Sequence, residues 1–241
     1  MPAHAGAPPA VARLFTWLGA ALFFVSLAYF FVSYVTTFGV PAAGSARAPA
    51  VAWNVALFTL FALHHSVLAR APMRQWVARL LPAPSLERSL YVWVASILLI
   101  AVCALWRPVP GVAWDVDGIL LWALRLIQAA GVWLTLRSAA ILDIRELAGV
   151  AVRTPDGQAP DVEFRTTGPY GWVRHPIYTG WFLIVFAAAP MTMTRFVFAV
   201  VSCVYLLIAI PFEERSMRAA AASTYARYVA QVRWRLLPGV Y

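Results

Sequence analysis

Apolar residues fill this chain in long blocks, and the polar positions between the blocks mark out its elements. Four blocks, at roughly 14–38, 51–69, 89–106 and 118–138, reach or approach the ~20 residues that a bilayer-crossing helix needs. A fifth, 177–212, is too long for one crossing and is interrupted at Ala189-Pro190-Met191-Thr192. Proline with polar neighbours at that point predicts a helix-turn-helix hairpin. Its first arm, from Ile177 to Ala189, rises only ~20 Å at ~1.5 Å per residue. That is short of a ~30 Å hydrocarbon core, which leaves the segment just before it partly sunk in the cytoplasmic face. In residues 71–82, Met73, Trp76, Val77, Leu80 and Leu81 share one helical face and Arg74, Gln75 and Arg79 the other. Such a helix lies in the headgroup plane. From Glu214 to about Val232 the spacing is again helical, with Met217, Tyr225, Tyr228 and Val232 near one face. The pattern predicts an all-α integral membrane protein with about six transmembrane helices, the last two a hairpin, plus interfacial and C-terminal helices. We read residues 1–241 as a single domain with a disordered N-terminal tail at 1–12 and no internal repeat.

Composition supports this class. The chain is 62% hydrophobic and 12% charged, where a soluble domain carries ~25% charged residues. The net charge of +9 comes entirely from arginine, because the sequence has no lysine. Basic residues do not cluster on a soluble domain, so nucleic acid is not a partner on this reading. The positive-inside rule accounts for the charge instead. With both termini cytoplasmic, only Arg47, Arg107 and Arg195 of the 19 arginines fall in outside loops, and Arg125 alone lies in a span. Arg125 has Gln128 one turn further along the same face, as glue between helices or as the lining of a polar pocket. The first apolar run is too long for a signal-peptide core and lacks a small-x-small cleavage site, so it reads as a retained span. Cys103 and Cys203 lie in apolar runs without CxxC spacing and read as small buried hydrophobes.

The chemistry concentrates around Thr167-Gly168-Pro169-Tyr170-Gly171-Trp172-Val173-Arg174-His175-Pro176-Ile177-Tyr178-Thr179-Gly180. Ionisable groups beside apolar spans are expensive and mark functional sites. Gly168-Pro169 suits a tight turn and Pro176 the first turn of a helix, and Tyr178 can share a face with His175. The hairpin returns Glu213-Glu214 toward His175. Carboxylates, aromatic rings and arginine at a membrane mouth suit a nucleoside carrying a positive centre, partly through cation–π attraction. The alternative is that Arg174 and the Glu pair only end their spans as ion pairs. Metal binding is not expected, because His64 and His65 point about 100° apart on a helix and too few other ligands gather. Neither GxSxG nor GxGxxG occurs.

Gly168-Pro169-Tyr170, Val173-Arg174-His175-Pro176-x-Tyr178-x-Gly180, Glu213-Glu214 and Tyr225-x-x-Tyr228 resemble the isoprenylcysteine carboxyl methyltransferase-like membrane superfamily. Leu63-His64-His65-Ser66-Val67-Leu68-Ala69, Glu87-Arg88-Ser89-x-Tyr91, Trp106-Arg107-Pro108-x-Pro110-Gly111-Val112-x-Trp114 and Pro190-Met191-Thr192 are similar to its NnrU and methanethiol S-methyltransferase branch. The resemblance covers roughly 50–238 and implies S-adenosylmethionine as methyl donor. It implies a cytoplasmic donor-binding region at 139–180 and 213–241, built from Gly168, Tyr170, Arg174, His175, Pro176, Tyr178, Glu213 and Glu214. Arg174 and His175 are then the expected catalytic residues, favouring the thiolate form of a small thiol acceptor that gives dimethyl sulfide. His65, Ser66 and Arg125 are expected in the acceptor pocket. Two alternatives stay open, a lipid-linked acceptor such as a prenylcysteine carboxylate and a non-catalytic NnrU-like membrane protein. Part of the pattern also occurs in sterol reductases, which use NADPH. The expected location is the bacterial inner membrane.

Overall fold

The structure, a computed structural model, describes residues 10–68, 70–83, 86–142, 148–150 and 166–241. Eight helices and two short strands occur among them, in the order α1 (Ala10–Val35), α2 (Arg47–Leu68), α3 (Ala71–Leu80), α4 (Glu87–Leu105), β1 (Val112–Trp114), α5 (Gly118–Ala139), α6 (Pro176–Phe186), β2 (Met191–Thr192), α7 (Met193–Ala220) and α8 (Ala222–Gln231). A 3-10 turn at Gly168–Gly171 precedes α6. Five helices, α1, α2, α4, α5 and α7, are long and apolar enough to cross a membrane. The chain is an all-α integral membrane protein. Helix α1 begins at Ala10, inside the stretch read as a tail; the rest of that tail lies outside the described residues. So does most of the polar segment 143–167.

The chain forms two compact units. Among the described residues, the first comprises those up to Ser33, within 57–106 and at 148–150. Here Gly19 admits the ring of Trp93, since a Cβ on Gly19 would sit 2.8 Å from the indole. The indole stacks on Phe15 and donates to its carbonyl at 3.0 Å. Thr16 donates to the Ser89 hydroxyl at 3.0 Å, and Ser89 donates to the Gly149 carbonyl at 3.0 Å. Arg74 ties α3 to α4 through Glu87 at 3.1 Å.

The second unit comprises residues 34–56, 107–142 and 166–241 among those described. Its most intimate packing joins α5 and α6 through Gly131 and Gly180. A Cβ on either would lie within 3 Å of the other's carbonyl oxygen. Small residues at such a crossing let backbones approach where lipid offers no hydrophobic drive for helices to associate. Helix α6 has 11 residues and rises only about 16 Å, so at least one of its ends falls inside a ~30 Å core. Non-helical backbone at that depth is tolerated only when protein satisfies its polar groups.

Side chains satisfy carbonyls of the last turn of α6 and of the chain just past it. Gln128 donates to Ile184 at 3.0 Å, Tyr34 to Val185 at 2.8 Å, Trp114 to Ala188 at 3.1 Å, Arg125 to Ala189 at 2.9 Å and Arg195 to Pro190 at 2.7 Å. The same Arg195 guanidinium donates to the carbonyls of Tyr34 and Val35, the orphan groups at the C-terminus of α1. Arg195, counted above with the outside loops, is therefore a buried residue in the first turn of α7. The break also pairs β2 with β1 in antiparallel register, Val112 opposite Thr192 and Trp114 opposite Met191.

Candidate active site

The other end of α6 gathers the charged motif. His175 is the N-cap of α6 and Pro176 occupies its first turn. Before them, Gly168 takes φ +60°, a left-handed conformation that L side chains avoid. The turn it starts closes with the Trp172 and Val173 amides donating to the Pro169 carbonyl. The chain then runs extended against the C-terminal segment. The Arg174 amide donates to the Trp234 carbonyl and the His175 amide to the Arg235 carbonyl, both at 2.9 Å. The Thr179 hydroxyl adds a bond to the Leu236 carbonyl at 2.8 Å.

Glu214 is the electrostatic centre, with a side chain 4% exposed. Its Oε1 accepts from Arg174 Nε at 2.8 Å, and its Oε2 accepts from Arg235 Nε and Nη2 at 3.2 and 3.1 Å. Arg174 also donates to the Val232 and Arg233 carbonyls. The interaction with Glu214 holds the Arg235 guanidinium more firmly protonated than usual. Two cations on one buried carboxylate is the arrangement that makes taking such a charge out of water tolerable.

Glu213 is the open partner, with a side chain 35% exposed. It accepts from the Tyr178 hydroxyl at 2.5 Å. The Tyr178 ring lies on the His175 imidazole, centroids 5.4 Å apart and planes 8° from parallel. His175 Nδ1 is 3.7 Å from Glu213 and Nε2 is 3.5 Å from Glu214. Nε2 is buried and makes no hydrogen bond among the described residues.

Helix α8 holds the C-terminal segment in place. Its Tyr225 and Tyr228, with Val232 just past its end, form a small apolar core with Met217 and Val229. The Tyr228 hydroxyl donates to the Tyr170 carbonyl at 3.0 Å. Burial pushes the Tyr170 phenol up to about 12, and burial likewise raises Tyr225 and Tyr228. These tyrosines stay neutral and serve as hydrogen-bonding and packing groups.

The structure thus brings Arg174, His175, Pro176, Tyr178, Glu213 and Glu214 together, with Gly168 and Tyr170 in the adjoining turn. Arg125 sits at the far end of α6, bonded to Gln128 and to the Ala189 carbonyl. His65 and Ser66 belong to the first unit, where His65 Nδ1 is 2.7 Å from the Tyr91 hydroxyl and the His65 ring stacks on Phe61. Arg235 and Thr179 went unrecognised in the sequence. The run Val232-Arg233-Trp234-Arg235 gives no local sign of which arginine turns inward.

The sequence that builds this site has known relatives. A model of the isoprenylcysteine carboxyl methyltransferase family matches residues 128–219, from the middle of α5 nearly to the end of α7. Methanethiol S-methyltransferase 2 of Bradyrhizobium diazoefficiens is 33% identical, covering 91% of this chain and 87% of that protein. The chain belongs to the methanethiol S-methyltransferase branch of the isoprenylcysteine carboxyl methyltransferase-like family. The Mycobacterium tuberculosis methanethiol S-methyltransferase is 38% identical over 76% of each chain. That of Crocosphaera subtropica is 34% identical over 74% of this chain and 71% of its own. No solved structure matches the chain. As a member of this family the chain is a membrane methyltransferase.

Proposed function

We propose that this methyltransferase takes its methyl group from S-adenosylmethionine and delivers it to a small thiol of the methanethiol type, giving dimethyl sulfide. The relatives named for methanethiol favour this acceptor over a prenylcysteine carboxylate and over a non-catalytic role. The observation that carries the donor assignment is the open Glu213 carboxylate beside a buried imidazole whose Nε2 lacks a hydrogen-bond partner among the described residues. These residues fit a cationic nucleoside. Glu213 offers negative charge to a positive centre or an acceptor to ribose hydroxyls, and the stacked Tyr178 and His175 rings offer an aromatic edge.

When bound, S-adenosylmethionine supplies a methyl group on a cationic sulfur and departs as a neutral thioether, so no acid is needed for the leaving group. The chain has to align the two partners and exclude water. A thiol attacks well only as thiolate. His175 is our candidate to take that proton, and Arg174 fixes His175 by holding Glu214 and the C-terminal carbonyls. Calorimetry on the purified protein is expected to show binding of S-adenosylmethionine and none of NADPH. Binding of NADPH in its place overturns the assignment in favour of a reductase.

We further propose that both termini and this site face the cytoplasm of the bacterial inner membrane, from the arginine distribution. A reporter fused at Tyr241 is expected to read cytoplasmic, and one inserted near Arg47 or Pro110 to read outside. A cytoplasmic signal at Pro110 contradicts this topology.

A further inference from the structure

We propose that Arg235 is a positioning residue for methyl transfer, acting through Glu214, which makes the C-terminal segment a working part of the catalytic centre. The inference rests on reading the His175 cluster as the methyl-transfer site. Arg235 touches that cluster by two separable routes. Its carbonyl accepts the His175 amide at 2.9 Å, which anchors the N-cap of α6. Its guanidinium places two donors on Glu214 Oε2, at 3.2 and 3.1 Å. The other oxygen of the same carboxylate is the one that faces His175 Nε2 at 3.5 Å. A carboxylate gripped at both oxygens has one orientation; gripped at Oε1 alone, it can rotate about its side-chain bonds. The Arg235 fork therefore sets where Glu214 stands against the His175 imidazole.

The surroundings suit such a role. Glu214 and Arg174 are buried, with side chains 4% and 7% exposed, whereas Arg235 is 32% exposed and reaches in from the surface. Its remaining nitrogen, Nη1, donates to the Tyr241 hydroxyl at 3.0 Å, and the guanidinium lies over the Tyr241 ring at 5.1 Å. The fork is thus held from behind as well as in front. Replacing the side chain leaves the backbone bond to His175 in place, so the guanidinium can be removed without detaching the segment.

The test is a double-mutant cycle on the full-length protein, reading donor affinity by calorimetry and turnover with methanethiol. Arg235→Ala is expected to lower turnover about tenfold, with the thiol KM within about twofold of wild type. Arg235→Lys should recover part of the loss, because an ammonium keeps the charge but not the two-point contact. In a Glu214→Gln background, Arg235→Ala is expected to have no further effect. A role confined to docking the segment predicts the opposite, effects of R235A and E214Q that multiply. Should R235A not fold, the same cycle is run with R235K. Unchanged turnover in the Arg235 variants, or multiplying effects, overturns the proposal. A wild type that binds no donor and methylates nothing would instead overturn the site reading itself.

Discussion

Replacing Glu214 with alanine is expected to weaken S-adenosylmethionine binding by an order of magnitude or more and to lower thermal stability in the same variant. The carboxylate is the shared counter-ion of Arg174 and Arg235. Removing it leaves Arg174, itself buried, with two backbone carbonyls as hydrogen-bond partners among the described residues. Stranding one partner of a buried ion pair costs about 3–5 kcal/mol. Arg235 is partly exposed, so water takes up part of that loss and the lower end applies. Calorimetry and thermal melts check both effects. A Glu214→Ala protein with wild-type affinity and melting temperature would show that the carboxylate only ends a helix.

His175→Ala is expected to act mainly on turnover. Its amide bond to Arg235 survives the substitution, and Pro176 still starts α6. The fold should therefore lose the contact with the Tyr178 ring, on the order of 1 kcal/mol, and the approach of the imidazole to Glu213 and Glu214. Turnover should fall about 100-fold or more if the imidazole takes the thiol proton, the usual range for a lost general base. Donor affinity should fall by about tenfold. A decrease in turnover of less than about threefold would remove His175 from the chemistry.

Local pattern carried the helices well, because apolar blocks are what a bilayer selects. The short first arm of the hairpin was legible too: the proline and its polar neighbours at 189–192 put its end at Ala189, three residues past Phe186, where α6 stops. The C-terminal helix proved to be two, with a break at Ala221 that the spacing of Met217 and Tyr225 does not disclose. The pairing of β1 with β2 joins residues some eighty positions apart, and two- and three-residue strands have no periodicity to read. Arg195 read as a loop charge, and Arg125, with Gln128 one turn on, as glue between helices or the lining of a polar pocket. Their partners are backbone carbonyls exposed by a broken helix, and no side-chain pattern encodes those. At the site, spacing alone placed His175 against Tyr178. The inward turn of Arg235 depends on how α8 docks, a tertiary outcome with no local sign.

The identity of the methylated product decides between the possible acceptors. The most direct measurement incubates purified protein with S-adenosylmethionine labelled in its methyl group, and with methanethiol and a prenylcysteine offered in parallel, then identifies the labelled product. Labelled dimethyl sulfide is expected from wild type and very little from His175→Ala. Label recovered only in a prenylcysteine methyl ester, or no labelled product although the donor binds, would contradict the proposed function.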